Sequence, residues 1–286
     1  MAHPGLAWLE RSEEGRDWLA RLPALLAECL ELWELEAGKP FEYAYASLAM
    51  PVTCADRGEA VLKLSFPDRE SAHEADALAI WDGDGAVRLL AHDRDRAALL
   101  LERCRPGTHL SAEDPDLALD VLIDVLPRLS KPAPEPIATL AEEAAWWVSY
   151  LPGSWERAGR PCERRLLEAA LDYLHELPPT QGQWVLLHQD LHGDNVLAAE
   201  REPWLVIDPK PLLGERDFAV APIVCAFELG HGKRKVRHRF DRLTAELGLE
   251  RERARGWAIG QTLAWAFDSE YSKAHLETAR WLLEAA

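Results

Sequence analysis

Basic charge is scarce in this chain: 32 Lys and Arg stand against 49 Asp and Glu, a formal net charge of −17. That balance repels nucleic-acid backbones and anionic membrane surfaces, so neither is an expected partner, while a cationic small molecule would be attracted. Long apolar runs are also missing. The longest nearly uncharged one, Phe218 to Phe227, is too short to cross a bilayer. The N-terminus has neither the basic segment nor the apolar stretch of a secretion signal, which makes the cytoplasm the expected compartment. Five cysteines (Cys29, Cys54, Cys104, Cys162 and Cys225) lie far apart, without paired metal spacing, and their odd number argues against a disulfide framework. There is no internal repeat. What the chain does have is 48% hydrophobic residues over 286 positions, enough to core one large domain or two lobes.

The most informative stretch is His188-Gln-Asp190-Leu-His192-Gly-Asp194-Asn195. The apolar run Trp184 to Leu187 reads as a strand that delivers His188 to this polar loop, Val196 to Ala198 leads out of it, and Leu205 to Ile207 forms a third strand with Asp208 at its exit. A carboxylate at the end of a buried strand is costly without compensation. A nucleotide-bound magnesium ion would supply it. The five-residue step from Asp190 to Asn195 matches the H-x-D-x-x-x-x-N loop of phosphoryl-transfer enzymes. In that reading Asp190 accepts a hydroxyl proton, Asn195 and Asp208 hold Mg2+, and His188 anchors the loop. Two other readings stay open: a nest of hydrolytic metal ligands at His188, Asp190 and His192 with Asp194 nearby, or a turn whose polar groups only satisfy the backbone.

Upstream, Glu59-Ala-Val-Leu-Lys63-Leu-Ser-Phe66 alternates as a half-buried strand with one lysine among apolar neighbours. A helix is expected from the Pro67-Asp68 pair onward, carrying Glu74 eleven residues past Lys63. A kinase uses such a lysine on the α- and β-phosphates and such a glutamate to hold it, with Glu70, one turn earlier, a second candidate for that pairing. The plainer alternative is a snorkelling Lys63 and a surface Glu74. The order of lysine strand, glutamate helix, catalytic loop and aspartate strand favours the kinase arrangement, because a hydrolase gives no reason for the first two.

These stretches, together with Trp81-Asp-Gly-Asp-Gly-Ala-Val-Arg-Leu-Leu90, Leu99-Leu-Leu-Glu102-Arg103-Cys104 and Ile207-Asp-Pro-Lys-Pro211 followed by Gly214, make the chain resemble the aminoglycoside phosphotransferases, in particular their streptomycin 6-phosphotransferase and hydroxyurea kinase branch. The likeness spans roughly residues 40 to 230. It implies an α+β, protein-kinase-like two-lobed fold: an N-lobe at 1–104 with N-terminal helices and an antiparallel sheet, and a mainly helical C-lobe at 105–286. It further implies ATP, with GTP an alternative, Mg2+, and a monomer. Lys63 would contact the nucleotide phosphates with Glu74 behind it, and the backbone of Glu102, Arg103 and Cys104 would be the hinge that reads adenine. The segment Tyr45 to Met50 departs from the glycine-rich nucleotide loop of protein kinases, having no glycine, so Ser47 is expected to contribute a hydroxyl instead.

The implied reaction is O-phosphorylation of an aminoglycoside, streptomycin foremost, which would confer resistance. Its guanidinium groups would meet acidic residues, and Trp265, Asp268 and Glu270 combine an aromatic surface with two carboxylates, although Trp265 could equally be core. Asp217 is read as stabilising its loop or, failing that, as touching substrate. Rival functions are a same-fold kinase of hydroxyurea, a sugar or an amino alcohol, and a hydrolase or nucleotide-binding pseudokinase. Among the remaining elements, Leu6 to Trp33 reads as two helices punctuated by Pro23, and strands are expected at Phe41–Ser47, Pro51–Ala55, Glu59–Phe66, Ala86–Ala91 and Ala97–Arg103. Helices follow at Asp114–Leu126 and Glu163–Leu177, with Pro127 to Pro136 an interhelical loop.

Overall fold

The computed structural model describes residues 4–42, 46–56, 58–134, 136–267 and 272–284. A 3-10 turn (Pro4–Arg11) precedes the first long helix, α1 (Glu13–Leu32), which starts where the Ser12 hydroxyl accepts the Gly15 amide at 3.0 Å. The break therefore falls at Ser12, and the one expected at Pro23 is absent, since Pro23 lies inside α1. Burial of Trp18, Leu22 and Leu25, at roughly 1.5–3 kcal/mol each, outweighs the roughly 3 kcal/mol that an interior proline costs.

That helix covers one face of a five-stranded antiparallel sheet built from β1 (Leu35–Ala37), β2 (Ser47–Cys54), β3 (Gly58–Ser65), β4 (Leu89–Asp93) and β5 (Ala98–Glu102) in the order β1-β2-β3-β5-β4. Two strands differ from expectation. Instead of separate strands at 41–47 and 51–55, a single β2 runs through Pro51, and the short β1 was not foreseen. The Gly38 amide donates to the Pro51 carbonyl at 2.8 Å, so the proline's missing N–H faces the same side, where the three-residue β1 ladder has already ended at Ala37. The proline thus breaks no rung toward β3, and on the other side it leaves the Gly38–Pro51 pair with one hydrogen bond instead of two. β4 is displaced toward Asp93, with a register shift between Leu89 and Ala91, while Ala86 forms an isolated bridge to Val206.

Period-two alternation sorts the side chains of this sheet. Ala60, Leu62, Leu64, Ala98 and Leu100 join α1 in one core, whereas Val61, Leu99 and Leu101 pack into a second, larger core. Lys63 shares its parity with Val61 and so points to the second face. The helix after the sheet's third strand is shorter than expected: residues 69–73 are turns and α2 spans Glu74–Trp81. Asp68 explains the delay, because its Oδ1 accepts the amides of Glu70 at 2.9 Å and Ser71 at 2.8 Å and holds a turn there. Glu70 is therefore not on the helix.

The rest of the chain supplies α3 (Pro115–Leu129), α4 (Leu140–Arg157), α5 (Arg164–Glu176), α6 (Ala221–Cys225), α7 (Lys233–Glu246), α8 (Arg251–Ala264) and α9 (Ser272–Leu283). It also contains two antiparallel strand pairs, β6 (Trp184–Leu187) with β9 (Leu212–Glu215) and β7 (Val196–Ala198) with β8 (Trp204–Val206). α3 continues through Pro127 instead of ending at Leu126, because Leu126 and Leu129 are buried and the Leu129 carbonyl accepts the Trp81 indole N–H at 2.8 Å. α4 was not anticipated, although Thr139 and Glu142 form a capping box at its start. The larger core runs from α2 and the second sheet face through these helices, so α2 packs with the helical region even though it precedes residue 104. No described helix is long and apolar enough to cross a membrane.

Candidate functional site

The two regions meet over the second sheet face. Lys63 Nζ donates to both carboxylate oxygens of Glu74 at 2.7 Å and also pairs with Asp208. Lys63 and Glu74 are buried, whereas the Asp208 side chain is half exposed. Burial works against the Lys63 ammonium, but the charges of Asp208 and Glu74 outweigh it and hold its pKa above the ordinary lysine value. Burial would likewise raise Asp208, yet Lys63 keeps it below the usual carboxylate range. Asp208 stands just beyond β8 with φ +55°, a left-handed conformation that Asp tolerates better than most residues and that turns the chain sharply at that point. Ser47 is buried and lies opposite Ser65 in the β2–β3 ladder, on the same face as Lys63. Tyr45 lies outside the described residues.

β6 ends at Leu187 and hands the chain to the catalytic-type loop. His188 is buried, stacks on Trp81 at 6.0 Å with an interplanar angle of 11°, and donates from Nε2 to the Ile207 carbonyl at 2.9 Å. Burial lowers its pKa, so the ring is neutral. These contacts tie the loop to β8 and turn His188 away from the metal-ligand role considered above. The described residues contain no group of three or more His, Cys, Asp and Glu side chains placed to hold a metal. Asn195 Nδ2 donates to the Asp190 carbonyl at 2.8 Å, and the Ile207 amide donates to the Asn195 carbonyl at 2.9 Å, which holds the loop and the Asp208 strand together. With its amide nitrogen engaged, Asn195 presents its side-chain oxygen. An amide oxygen and a carboxylate on facing segments are the hard donors that Mg2+ prefers.

Beyond Asp190 opens a cavity of about 370 Å³ whose lining includes Asp190, His192, Asp194, Glu228, Trp265 and His275. Glu228 Oε1 accepts the Gly193 amide at 2.8 Å and lies 3.5 Å from His192 Nδ1. His192 Nε2 is 3.8 Å from Asp190 Oδ1. Burial alone would lower the His192 pKa, but Glu228, Asp190 and Asp194 raise it above its ordinary value. Burial would raise Glu228, and His192 lowers it. The cavity wall is therefore acidic, with the His192 imidazole among three carboxylates and His275 a second imidazole in the lining.

Of the residues expected at a site, Lys63, Glu74, Asp190, Asn195 and Asp208 are brought to one cleft, and Trp265 lines the adjoining cavity. At the segment expected to be the hinge, the Glu102 side chain is bound by Arg201 at 2.8 and 2.9 Å and by the Arg88 amide at 3.0 Å. Arg103 lies 3.6 Å from Glu59, and burial pushes the Cys104 thiol up to about 12. Asp217 is used elsewhere: its Oδ1 accepts the Glu250 amide at 2.6 Å at the start of α8, and it does not line the cavity. Asp268 and Glu270 lie outside the described residues. Glu70 pairs with Lys210 at 3.2 Å, not with Lys63. Among the described residues, ionisable members of the site not singled out from sequence include Lys210, which also reaches Asp190 at 3.1 Å, and Glu228 and His275 in the cavity. Lys210 sat within the Asp-Pro-Lys-Pro segment; Glu228 and His275 carried no local signal.

A lysine–glutamate pair under a sheet, facing an Asp/Asn loop and a strand-end aspartate, defines a phosphotransferase of the protein-kinase-like class. Solved structures agree on the fold: a choline kinase LicA from Streptococcus pneumoniae (TM-score 0.66, 12% identity, 93% of this chain and 100% of that one) and the aminoglycoside phosphotransferase APH(4)-Ia (TM-score 0.62, 12% identity, 93% and 99%). The sequence profile of the aminoglycoside/hydroxyurea antibiotic resistance kinases matches residues 33–271, and the chain belongs to that family. Its relatives include a streptomycin 6-kinase of Streptomyces griseus, 43% identical over 88% of this chain and 84% of that protein. Another is a hydroxyurea phosphotransferase of Kitasatospora aureofaciens, 45% identical over 87% and 73%.

Proposed function

We propose that this kinase moves the γ-phosphoryl group of ATP to a hydroxyl of a cationic aminoglycoside, streptomycin first among them, and so inactivates the drug. The observation that carries the acceptor assignment is the cavity beside Asp190, whose wall combines Asp190, Asp194 and Glu228 with the indole of Trp265. Asp190 and Glu228 are partly buried and Asp194 is exposed, and carboxylates beside an aromatic face suit a guanidinium ion. At about 370 Å³ the space falls in the range of ligand pockets and is far larger than hydroxyurea needs.

In this reading Lys63, steadied by Glu74, binds the α- and β-phosphates, and the Glu102–Cys104 backbone takes the adenine edge while Ser47 borders the phosphates. Asn195 and Asp208 would hold Mg2+, which when bound would neutralise charge on the nucleotide's phosphate oxygens. Asp190 orients the acceptor hydroxyl and takes its proton as the oxygen attacks phosphorus. The bond from the γ-phosphorus to the β,γ-bridging oxygen breaks, so ADP leaves and the phosphoryl group stays on the acceptor oxygen.

An ATP-consumption screen over streptomycin, other aminoglycosides, hydroxyurea and common sugars tests the proposal. Streptomycin should give the highest kcat/KM, and Asp190→Ala should lower that turnover by about 10²- to 10⁴-fold with little change in melting temperature. Turnover of hydroxyurea alone would move the assignment to the uncharged acceptor, and an unimpaired Asp190→Ala variant would remove this residue from the chemistry.

A further inference from the structure

Lys210 stands where three parts of the molecule converge. Its Nζ is 3.1 Å from Asp190 Oδ2, 3.2 Å from Glu70 Oε2, and 5.3 Å from the centroid of the Trp265 ring. Asp190 belongs to the loop after β6, Glu70 to the turn before α2, and Trp265 to the wall of the acceptor cavity. Pro209 and Pro211 flank the lysine and restrict the backbone on either side of it. With Oδ2 engaged by the ammonium, Asp190 presents Oδ1 toward His192 on the cavity side, at 3.8 Å.

The Glu70 arm is itself braced. Asp68 holds the amides of Glu70 and Ser71, and the neighbouring Arg69 crosses to the helical region, donating to Glu143 Oε1 at 3.1 Å and lying 4.0 Å over the Trp146 ring. Two successive residues of one turn thus reach from the sheet side to the helical side, one to α4 and one to Lys210. A cation held between two carboxylates from opposite sides of a cleft couples their positions.

We infer that Lys210 is a positioning residue: it fixes the Asp190 carboxylate for the incoming hydroxyl and, through Glu70, makes that orientation depend on how the sheet side sits against the helical side. The inference rests on the reading of Asp190 as the hydroxyl-orienting group. It adds a link between the nucleotide region and the acceptor cavity that neither side provides by itself.

Steady-state kinetics of Lys210→Met, Lys210→Arg and Glu70→Gln with ATP and the best acceptor of the parent protein test it. Lys210→Met should lower kcat by about 10- to 100-fold while the KM for ATP moves less than about twofold, the pattern of a displaced reacting group. Lys210→Arg should recover most of that loss, and Glu70→Gln should show a smaller fall in the same parameter. Unchanged kcat in Lys210→Met overturns the inference, as does a loss equal in the Met and Arg variants that follows their melting temperatures. A parent without kinase turnover on any acceptor would instead defeat the proposed function. In that case crystal structures of the parent and Lys210→Met decide the positioning role: a single Asp190 rotamer that is lost in the variant is expected, and the same rotamer in both overturns it.

Discussion

On the proposed function this cleft has a nucleotide side and an acceptor side, and the two are built on different plans. Lys63 and Glu74 sit on β3 and α2, regular elements whose register fixes where each side chain points, and they satisfy one another with two contacts of 2.7 Å. The acceptor cavity draws Asp194, Glu228, Trp265 and His275 from loops and helix ends scattered over more than 80 positions, around a histidine that faces three carboxylates. On the proposed function, this paired charge on rigid elements serves a ligand that does not vary, the triphosphate. An acidic wall assembled from loops can be altered residue by residue without disturbing that machinery, which fits a family whose relatives include both streptomycin and hydroxyurea kinases.

The sharpest way to break the contrast is Lys63→Met. Removing the cation leaves Glu74 buried at 2% exposure with no counter-charge, and breaking a buried pair costs about 3–5 kcal/mol. Thermal denaturation should show a melting temperature lower by roughly 5–10 °C, and ATP binding should be lost with it. In the double variant Lys63→Met/Glu74→Met, stability should return in part while ATP binding does not, because the apolar pair fits the core but grips no phosphate. A single variant that melts like the parent would show that the pair is not the stabilising unit described here.

On the acceptor side, Glu228→Gln should act on substrate and spare the fold. Gln keeps an oxygen for the Gly193 amide but removes a negative charge from the cavity wall. The KM for streptomycin should rise by about tenfold, equivalent to roughly 1.4 kcal/mol, while the KM for ATP is unchanged and any activity on uncharged hydroxyurea is unaffected. An equal rise for both acceptors would mean that Glu228 shapes the loop and does not recognise charge.

How much of this was legible in the sequence follows the same division. Lys63, Glu74, Asp190, Asn195 and Asp208 were readable because strand alternation, loop spacing and chain order each leave a local trace, and the structure gathers them in one cleft. A helical start at Pro67 is not what forms, because Asp68 holds a turn whose hydrogen bonds compete with helix, and the expected helix is what made Glu70 a second candidate for Lys63 when it pairs with Lys210. Pro23 and Pro127 suggested breaks that burial of their neighbours overrides. Glu228 and His275 meet Asp190 only through tertiary packing of α6, α8 and α9, a relation that no spacing along the chain encodes.

His275 gives the smallest effect and a test of the cavity at its far wall. Burial, with the nearby His231 adding to it, lowers its pKa from 6.5 to about 4 against the pull of the Trp265 backbone. In the folded protein the ring is therefore neutral, whereas in the unfolded chain it takes up a proton near its ordinary value. As pH falls through 6.5 the unfolded state binds protons that the folded state refuses, so this residue subtracts stability progressively until about pH 4, where the loss stops growing. Above pH 6.5 it has no such effect. Melting temperatures of the parent and His275→Gln, measured from pH 8 to pH 4.5, should differ by a constant offset at the alkaline end. Below pH 6.5 that offset should drift in one direction, the parent losing ground to the variant. A drift in the opposite direction would mean that the folded protein favours the His275 imidazolium, so that this part of the cavity wall would be cationic instead of neutral.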